Sequence, residues 1–100
     1  MKITGLDRVL VDLRGRELTE GGEPFTLRAA VAGALLSQPS GENMTGQQKY
    51  RRYKLAFMIM EAQGEVELAA EDVAEIKTAT GAVYLPLVVG QVWDWLEGGD

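Results

Sequence analysis

The chain contains no cysteine and no histidine. Without cysteine, disulfides, thiolate metal ligands and cysteine nucleophiles are excluded. Without histidine, the chain lacks the commonest general base, the commonest metal ligand and the side chain best suited to sensing physiological pH. Most classes of enzyme are therefore excluded, and we predict no catalytic residue, no metal site and no cofactor.

Long apolar runs are also missing. The longest, "AVYLPLVV" at 82–89, is far shorter than the roughly 20 residues that cross a bilayer. The amino terminus lacks the charged segment and apolar core of a signal peptide. Hydrophobic residues at 46% and charged residues at 25% are ordinary globular values. The sequence predicts a single domain, 1–100, with no membrane segment and a cytoplasmic location.

The net charge of −5 is distributed unevenly along the chain. Residues 1–54 carry a surplus of three positive charges, and residues 55–100 carry a surplus of eight negative charges. Two arrangements follow from this asymmetry. The two halves pair their charges within one monomer, or the basic part of one copy meets the acidic part of another.

A β-hairpin is predicted near the amino terminus, within residues 1–24. Apolar and polar residues alternate there, and Gly15 lies between Arg14 and Arg16 where a turn is needed. We expect strands near 8–13 and 16–19, followed by a loop at 19–25 in which Pro24 prevents further strand pairing.

Helices are predicted over the rest of the chain, at 26–37, 46–63, 70–80 and 85–97. Thr26 is a candidate N-cap, and Thr45 with Gln48 has the spacing of a capping box. Gly64 and Gly81 are expected to end the second and third helices. A break at 39–43 and a short extended piece at 65–68 connect the helices. The predicted fold is therefore α+β, with an amino-terminal hairpin packed on a bundle of three to four helices.

The second helix opens with the basic segment "KYRRYK" at 49–54. At ~100° per residue, its apolar side chains form two stripes. One, called here the aromatic stripe, consists of Tyr50, Tyr53, Phe57 and Met60; the other consists of Leu55, Ile59 and Ala62. A helix that is apolar on two sides predicts a central core helix between two neighbours, with its lysines and arginines extending to solvent.

The last helix contains two tryptophans that cannot face the same core. Trp93 and Trp95 lie about 200° apart on a helix. Trp95, together with Gln91 and Leu87, is expected to face outward, and Gly90 predicts a close helix crossing. The outward ring either lies against the hairpin or anchors a partner or a second copy. The expected buried face consists of Leu85, Val88, Val89, Val92 and Leu96.

Carboxylates on the third helix are the remaining candidates for chemistry. Glu71, Asp72 and Glu75 lie close together in sequence, but the alternating oxygen ligands of an EF-hand loop are absent. A solvated face favoured by the helix dipole is the preferred interpretation. A carboxylate-dependent enzyme is the least favoured hypothesis.

Four segments, "FTLRAAVAGALL", "KYRRYKLAFMI", "ELAAEDVAEIK" and "PLVVGQVWDWLE", resemble a group of short proteins encoded by tailed bacteriophages and prophages. The resemblance extends over residues 25–97. It implies a small phage accessory protein in the bacterial cytoplasm, working by binding other proteins in particle assembly or in redirecting host machinery. The group supplies no catalytic or binding residues.

These observations predict a non-enzymatic interaction protein that associates with itself or with a phage or host protein. The predicted contact residues are Lys49, Tyr50, Arg51, Arg52, Tyr53, Lys54, Gln91 and Trp95. The alternative is a small nucleic-acid-binding regulator that uses the basic helix 49–54. The acidic net charge disfavours nucleic acid, because such binding draws on a positive surface that releases several counterions.

Overall fold

A computed structural model describes residues 1–37 and 43–98 of the chain. Its elements are β1 (Lys2–Thr4), β2 (Thr19–Glu20), β3 (Glu23–Pro24), α1 (Leu27–Leu35), α2 (Gly46–Glu61), β4 (Glu65–Glu67), α3 (Ala70–Val83) and α4 (Pro86–Leu96). The fold is α+β, with an amino-terminal antiparallel hairpin and four helices, as predicted. Most of the predicted break at 39–43 lies outside the described residues.

The hairpin lies later in the chain than the predicted strands at 8–13 and 16–19. Its strands are β2 and β3, and they pair in the register Thr19↔Pro24 and Glu20↔Glu23. Gly21 and Gly22 have φ values of 61° and 85°, which suit the tight turn that joins two antiparallel strands. Pro24 was expected to prevent strand pairing, but it pairs with Thr19. Proline lacks a backbone N–H, and a two-stranded sheet tolerates this because one side of each strand has no neighbour.

The predicted hairpin at 8–19 is reduced to a bridge between Val11 and Glu17. The turn near Gly15 does form, and the Asp12 carboxylate accepts hydrogen bonds from the backbone N–H groups of Arg14 and Arg16 at 2.8 and 3.0 Å. The chain around it pairs with other segments: the backbone N–H of Leu10, for example, donates to the carbonyl of Phe25 at 2.9 Å.

A second antiparallel pair joins the amino terminus to the middle of the chain. β1, which the sequence did not predict, pairs with β4 in the register Lys2↔Glu67, Ile3↔Val66 and Thr4↔Glu65. Ile3 and Val66 face the core, and Lys2 pairs with Glu65 at 3.5 Å on the outer face. This pairing attaches the amino terminus to the segment between α2 and α3.

The central helix is α1, and not α2 as predicted. α1 packs against α2, α3 and α4. Its small side chains permit close approach: Ala30 and Ala34 are fully buried, and a Cβ at Gly33 would lie 3.1 Å from the hydroxyl of Tyr84. That hydroxyl donates to the carbonyl of Ala30 at 2.7 Å.

Burial, together with the charge of Glu20, raises the pKa of Tyr84 to about 12.

α3 continues past Gly81, which was expected to end it, and reaches Val83. The glycine serves a packing role instead, because a Cβ there would lie 3.3 Å from Cζ2 of Trp93. The indole N–H of Trp93 donates to the buried hydroxyl of Thr80 at 3.1 Å. Trp93 therefore fastens α4 to α3 while part of its ring stays exposed.

The outward orientation predicted for Trp95 is wrong. Trp95 is 9% exposed and belongs to the core, where a Cβ at Gly5 would lie 3.5 Å from its indole nitrogen. Residues 88 and 95 are seven apart, so Trp95 continues the side of the helix that Val88 begins. Val92 and Leu96 are buried as predicted, but Leu85 is exposed.

Gly90 is exposed, and a Cβ added there would meet nothing within 4 Å. The prediction that it marks a close helix crossing is wrong, and nothing in the structure explains the glycine.

Candidate functional site

α2 has one buried face and one exposed face. Leu55, Ala56 and Ile59 lie in the core. The aromatic stripe lies in solvent, with Tyr50 61%, Tyr53 54%, Phe57 55% and Met60 56% exposed. The prediction that neighbours cover both apolar sides of this helix is therefore wrong: within residues 1–37 and 43–98, the Leu55 side packs into the core and the aromatic stripe stays more than half exposed.

The stripe forms a continuous surface. The rings of Tyr50 and Tyr53 stack with centroids 6.3 Å apart, and Tyr53 and Phe57 are also 6.3 Å apart. These contacts follow from the spacing, since residues three or four apart are neighbours on a helix. The ammonium of Lys54 lies 5.3 Å from the centroid of the Tyr50 ring, which is the geometry of a cation–π contact.

Two of the four basic residues in the 49–54 segment pair with acids of α3. Arg52 is buried, and its Nε lies 2.7 Å from a carboxylate oxygen of Glu75. Arg51 is partly exposed and lies 3.4 Å from Asp72. For these pairs, the basic half of the sequence meets the acidic half within the same chain. Lys49 and Lys54 lie at the surface beside the aromatic stripe.

An open groove of about 680 Å³ runs along the amino-terminal half of α2. Leu55 and Met58 provide apolar lining, while Arg51, Lys54 and Asp72 provide charged lining. Because Tyr50 also lines it, the groove continues the surface of the aromatic stripe.

The start of α2 is fixed by the predicted capping box. The Thr45 hydroxyl accepts from the backbone N–H of Gln48 at 3.1 Å, and the Gln48 side-chain oxygen accepts from the backbone N–H of Thr45 at 2.9 Å. Both bonds satisfy amide groups that a helix start otherwise leaves without partners. The prediction of this cap is confirmed.

The end of α2 is fixed by Arg28, a residue that the sequence did not single out. Its Nη1 donates to the carbonyls of Ile59 and Ala62, each at 2.7 Å. Its Nε and Nη2 donate to the Asp7 carboxylate at 3.0 and 3.2 Å, and these hydrogen bonds lower the pKa of Asp7. The last turn of α2 contains no basic residue of its own, and this absence is the signal that could have prompted a search for a distant one.

Gln91 and Trp95 do not join this surface. The Gln91 side chain accepts from the backbone N–H of Val11 at 3.0 Å and donates to the Val11 carbonyl at 2.8 Å. Gln91 therefore holds the loop against α4 much as a neighbouring strand would. Leu87, predicted to face outward with them, is partly exposed.

Two of the three carboxylates of α3 serve the fold. Asp72 accepts from the backbone N–H of Ala69 at 3.1 Å and pairs with Arg51, while Glu75 pairs with Arg52. In residues 1–37 and 43–98, no group of three side chains of the metal-binding types comes together. Across the same residues, no helix combines the length and apolar character needed to cross a bilayer.

Comparison with known proteins finds no match: no protein-family model, no curated protein and no solved structure matches this chain.

Proposed function

We propose that this chain is a non-enzymatic, phage-encoded accessory protein that acts in the bacterial cytoplasm by binding other proteins. The contact surface is the aromatic stripe of α2. One observation carries the proposal: four large apolar side chains stand in a row on one helix, each with more than half of its surface in solvent. An apolar patch of this kind commonly marks an interface, and aromatic residues are frequent among its energetically important members.

The proposed contact residues include four of the predicted residues that lie at this surface. Two further residues, nearer the carboxyl end of α2, are added to them. Tyr50 and Tyr53 supply the rings, and Lys49 and Lys54 supply charge beside them. Phe57 and Met60, which were not in the predicted set, complete the row. Arg52 and Trp95 are buried, so their role is to support the fold.

Nucleic acid is the less favoured partner. A binding surface for nucleic acid needs several cations that neutralise phosphates. In α2, Arg51 and Arg52 already face the carboxylates of Asp72 and Glu75. The neighbouring exposed surface is largely apolar, and the whole chain carries a net charge of −5.

Site-specific photo-crosslinking in a bacterial host tests the proposal. A benzophenone amino acid replaces Phe57 in one variant and Leu13, which is 95% exposed in a loop, in a matched control. We expect light-dependent adducts of discrete mass from position 57 and none from position 13. A Tyr53→Glu substitution in the same chain should abolish the adducts. Absence of any protein adduct at position 57, or equal adducts at both positions, would contradict the proposed function.

A further inference from the structure

We infer that the partner of the aromatic stripe is a second copy of this chain, whose own α2 packs against it in the antiparallel direction. This inference rests on the proposed function, because it names the occupant of the same surface. Three observations support it: the spacing of the stripe, the placement of charge along α2, and the size of the exposed surface.

The stripe has the spacing of a helix–helix seam. Its members follow one another at intervals of three, four and three residues, which is the alternation of core positions in a coiled coil. They extend over about 15 Å of helix axis. In a two-fold arrangement centred on this segment, Tyr53 meets Phe57 of the other copy and Tyr50 meets Met60. Each contact then occurs twice, as two-fold symmetry requires.

The distribution of charge along α2 favours antiparallel over parallel packing of the two helices. Beside the stripe, the amino-terminal half of α2 carries the exposed Lys49 and Lys54, whereas its carboxyl end carries the exposed Glu61. Parallel packing would place the cations of both copies side by side. Antiparallel packing brings the basic half of one helix to the level of Glu61 of the other.

The exposed area indicates a reversible dimer. Four side chains of this size, each more than half exposed, offer on the order of 400 to 500 Å² per copy. A stable interface usually buries about 800 Å² per partner. We therefore expect monomer and dimer to interconvert with concentration, so that another protein with a similar apolar helix can displace the second copy.

Sedimentation velocity of the purified full chain over about a hundredfold range of concentration tests the self-association. We expect the sedimentation coefficient of the wild type to rise from that of a monomer toward that of a dimer. Phe57→Glu should remain monomeric at every concentration, and Leu13→Glu should behave as the wild type. The urea midpoint of Phe57→Glu, measured at low concentration, checks its fold; Tyr53→Asp serves as the second variant if that midpoint falls.

The direction is tested with single cysteines, since the chain contains none. Tyr50→Cys and Met60→Cys proteins are oxidised separately and as a mixture. Antiparallel packing predicts a mixed disulfide between the two variants and little dimer from either alone. Disulfides within each variant alone would overturn the antiparallel arrangement. A wild type that stays monomeric at every concentration would overturn self-association, but heterologous adducts at position 57 would then still support the proposed function.

Discussion

Arg28 holds three parts of the chain together through one guanidinium group. It is one of the α1 residues, and it reaches the last carbonyls of α2 and the carboxylate of Asp7. Its side chain is largely buried, whereas that of Asp7 is exposed. The bonds to the helix carbonyls therefore contribute more than the ion pair, because exposed ion pairs are weakened by water and salt.

Replacing Arg28 with alanine should lower the free energy of unfolding by about 2 to 3 kcal/mol, because two carbonyls lose a charged donor. Urea unfolding followed by circular dichroism measures the change. The matched control is Arg16→Ala, which removes an exposed arginine paired with Asp12 at 3.3 Å. It should cost about 0.5 kcal/mol or less. Equal losses from the two variants would contradict the role assigned to Arg28.

Arg28→Ala should also change a second measurable quantity, the pKa of Asp7. The hydrogen bond from Arg28 holds this pKa below its ordinary value of 3.8. Asp7 therefore contributes stability above its unfolded pKa, and that contribution is lost as the pH falls through the lower folded value. NMR titration should show the Asp7 pKa rising toward 3.8 in Arg28→Ala. The pKa of Asp12, lowered by backbone N–H groups of Arg16 and Arg14, should not move.

Single residues were predictable from the sequence where their partners are close along the chain. Thr45 caps α2 through Gln48, and Thr26 caps α1 through Ala29, so residue type and spacing were sufficient. Arg28 bonds to carbonyls more than thirty residues away, and Gln91 bonds to Val11 eighty residues away. Local patterns do not identify which distant residue will be the partner, and these residues were missed or assigned another role.

At the scale of the element, periodicity identified the two apolar stripes of α2 but not which of them is covered. The helical periodicity gives the angle of each side chain about its own helix axis. Whether that side chain is covered depends on where the neighbouring elements lie. α1 and α3 both approach the side that carries Leu55 and Arg52. The same limitation affected α3, whose end at Gly81 was predicted without the tryptophan that the glycine accommodates.

The two faces of α2 should respond differently to truncation. Ile59→Ala empties part of the core and should cost about 2 to 5 kcal/mol. Phe57→Ala, on the exposed face, should change the free energy of unfolding by about 0.5 kcal/mol or less when measured at low protein concentration. Urea unfolding of both variants measures the contrast. A comparable loss from Phe57→Ala would mean that the aromatic stripe belongs to the core.

For the molecule as a whole, the fold class was predicted correctly, but the helix at its centre was not. The hairpin-plus-helices arrangement follows from turn glycines, caps and helical periodicity. The central position of α1 depends on how closely its alanines let other helices approach, which a single helix does not reveal. The strand β1 was missed because three residues give too short a pattern to recognise without their partner β4.

Part of the charge asymmetry between the two halves of the sequence is paired inside the molecule. Lys2 pairs with Glu65, Arg51 with Asp72 and Arg52 with Glu75. The aromatic stripe takes no part in these ion pairs and is exposed, with Lys49 and Lys54 beside it. We propose that this stripe is exposed in the monomer and covered when two copies meet.

Relaxation of the Tyr53 and Phe57 ring protons by a soluble gadolinium chelate distinguishes an exposed stripe from a covered one. Spectra are recorded at low and high protein concentration, with the buried side chain of Ile59 as the internal reference. We predict strong relaxation of both rings at low concentration and protection at high concentration, while Ile59 stays protected throughout. Protection of the rings at low concentration would place the stripe in the monomer's own core, and strong relaxation at both concentrations would contradict an interface between copies.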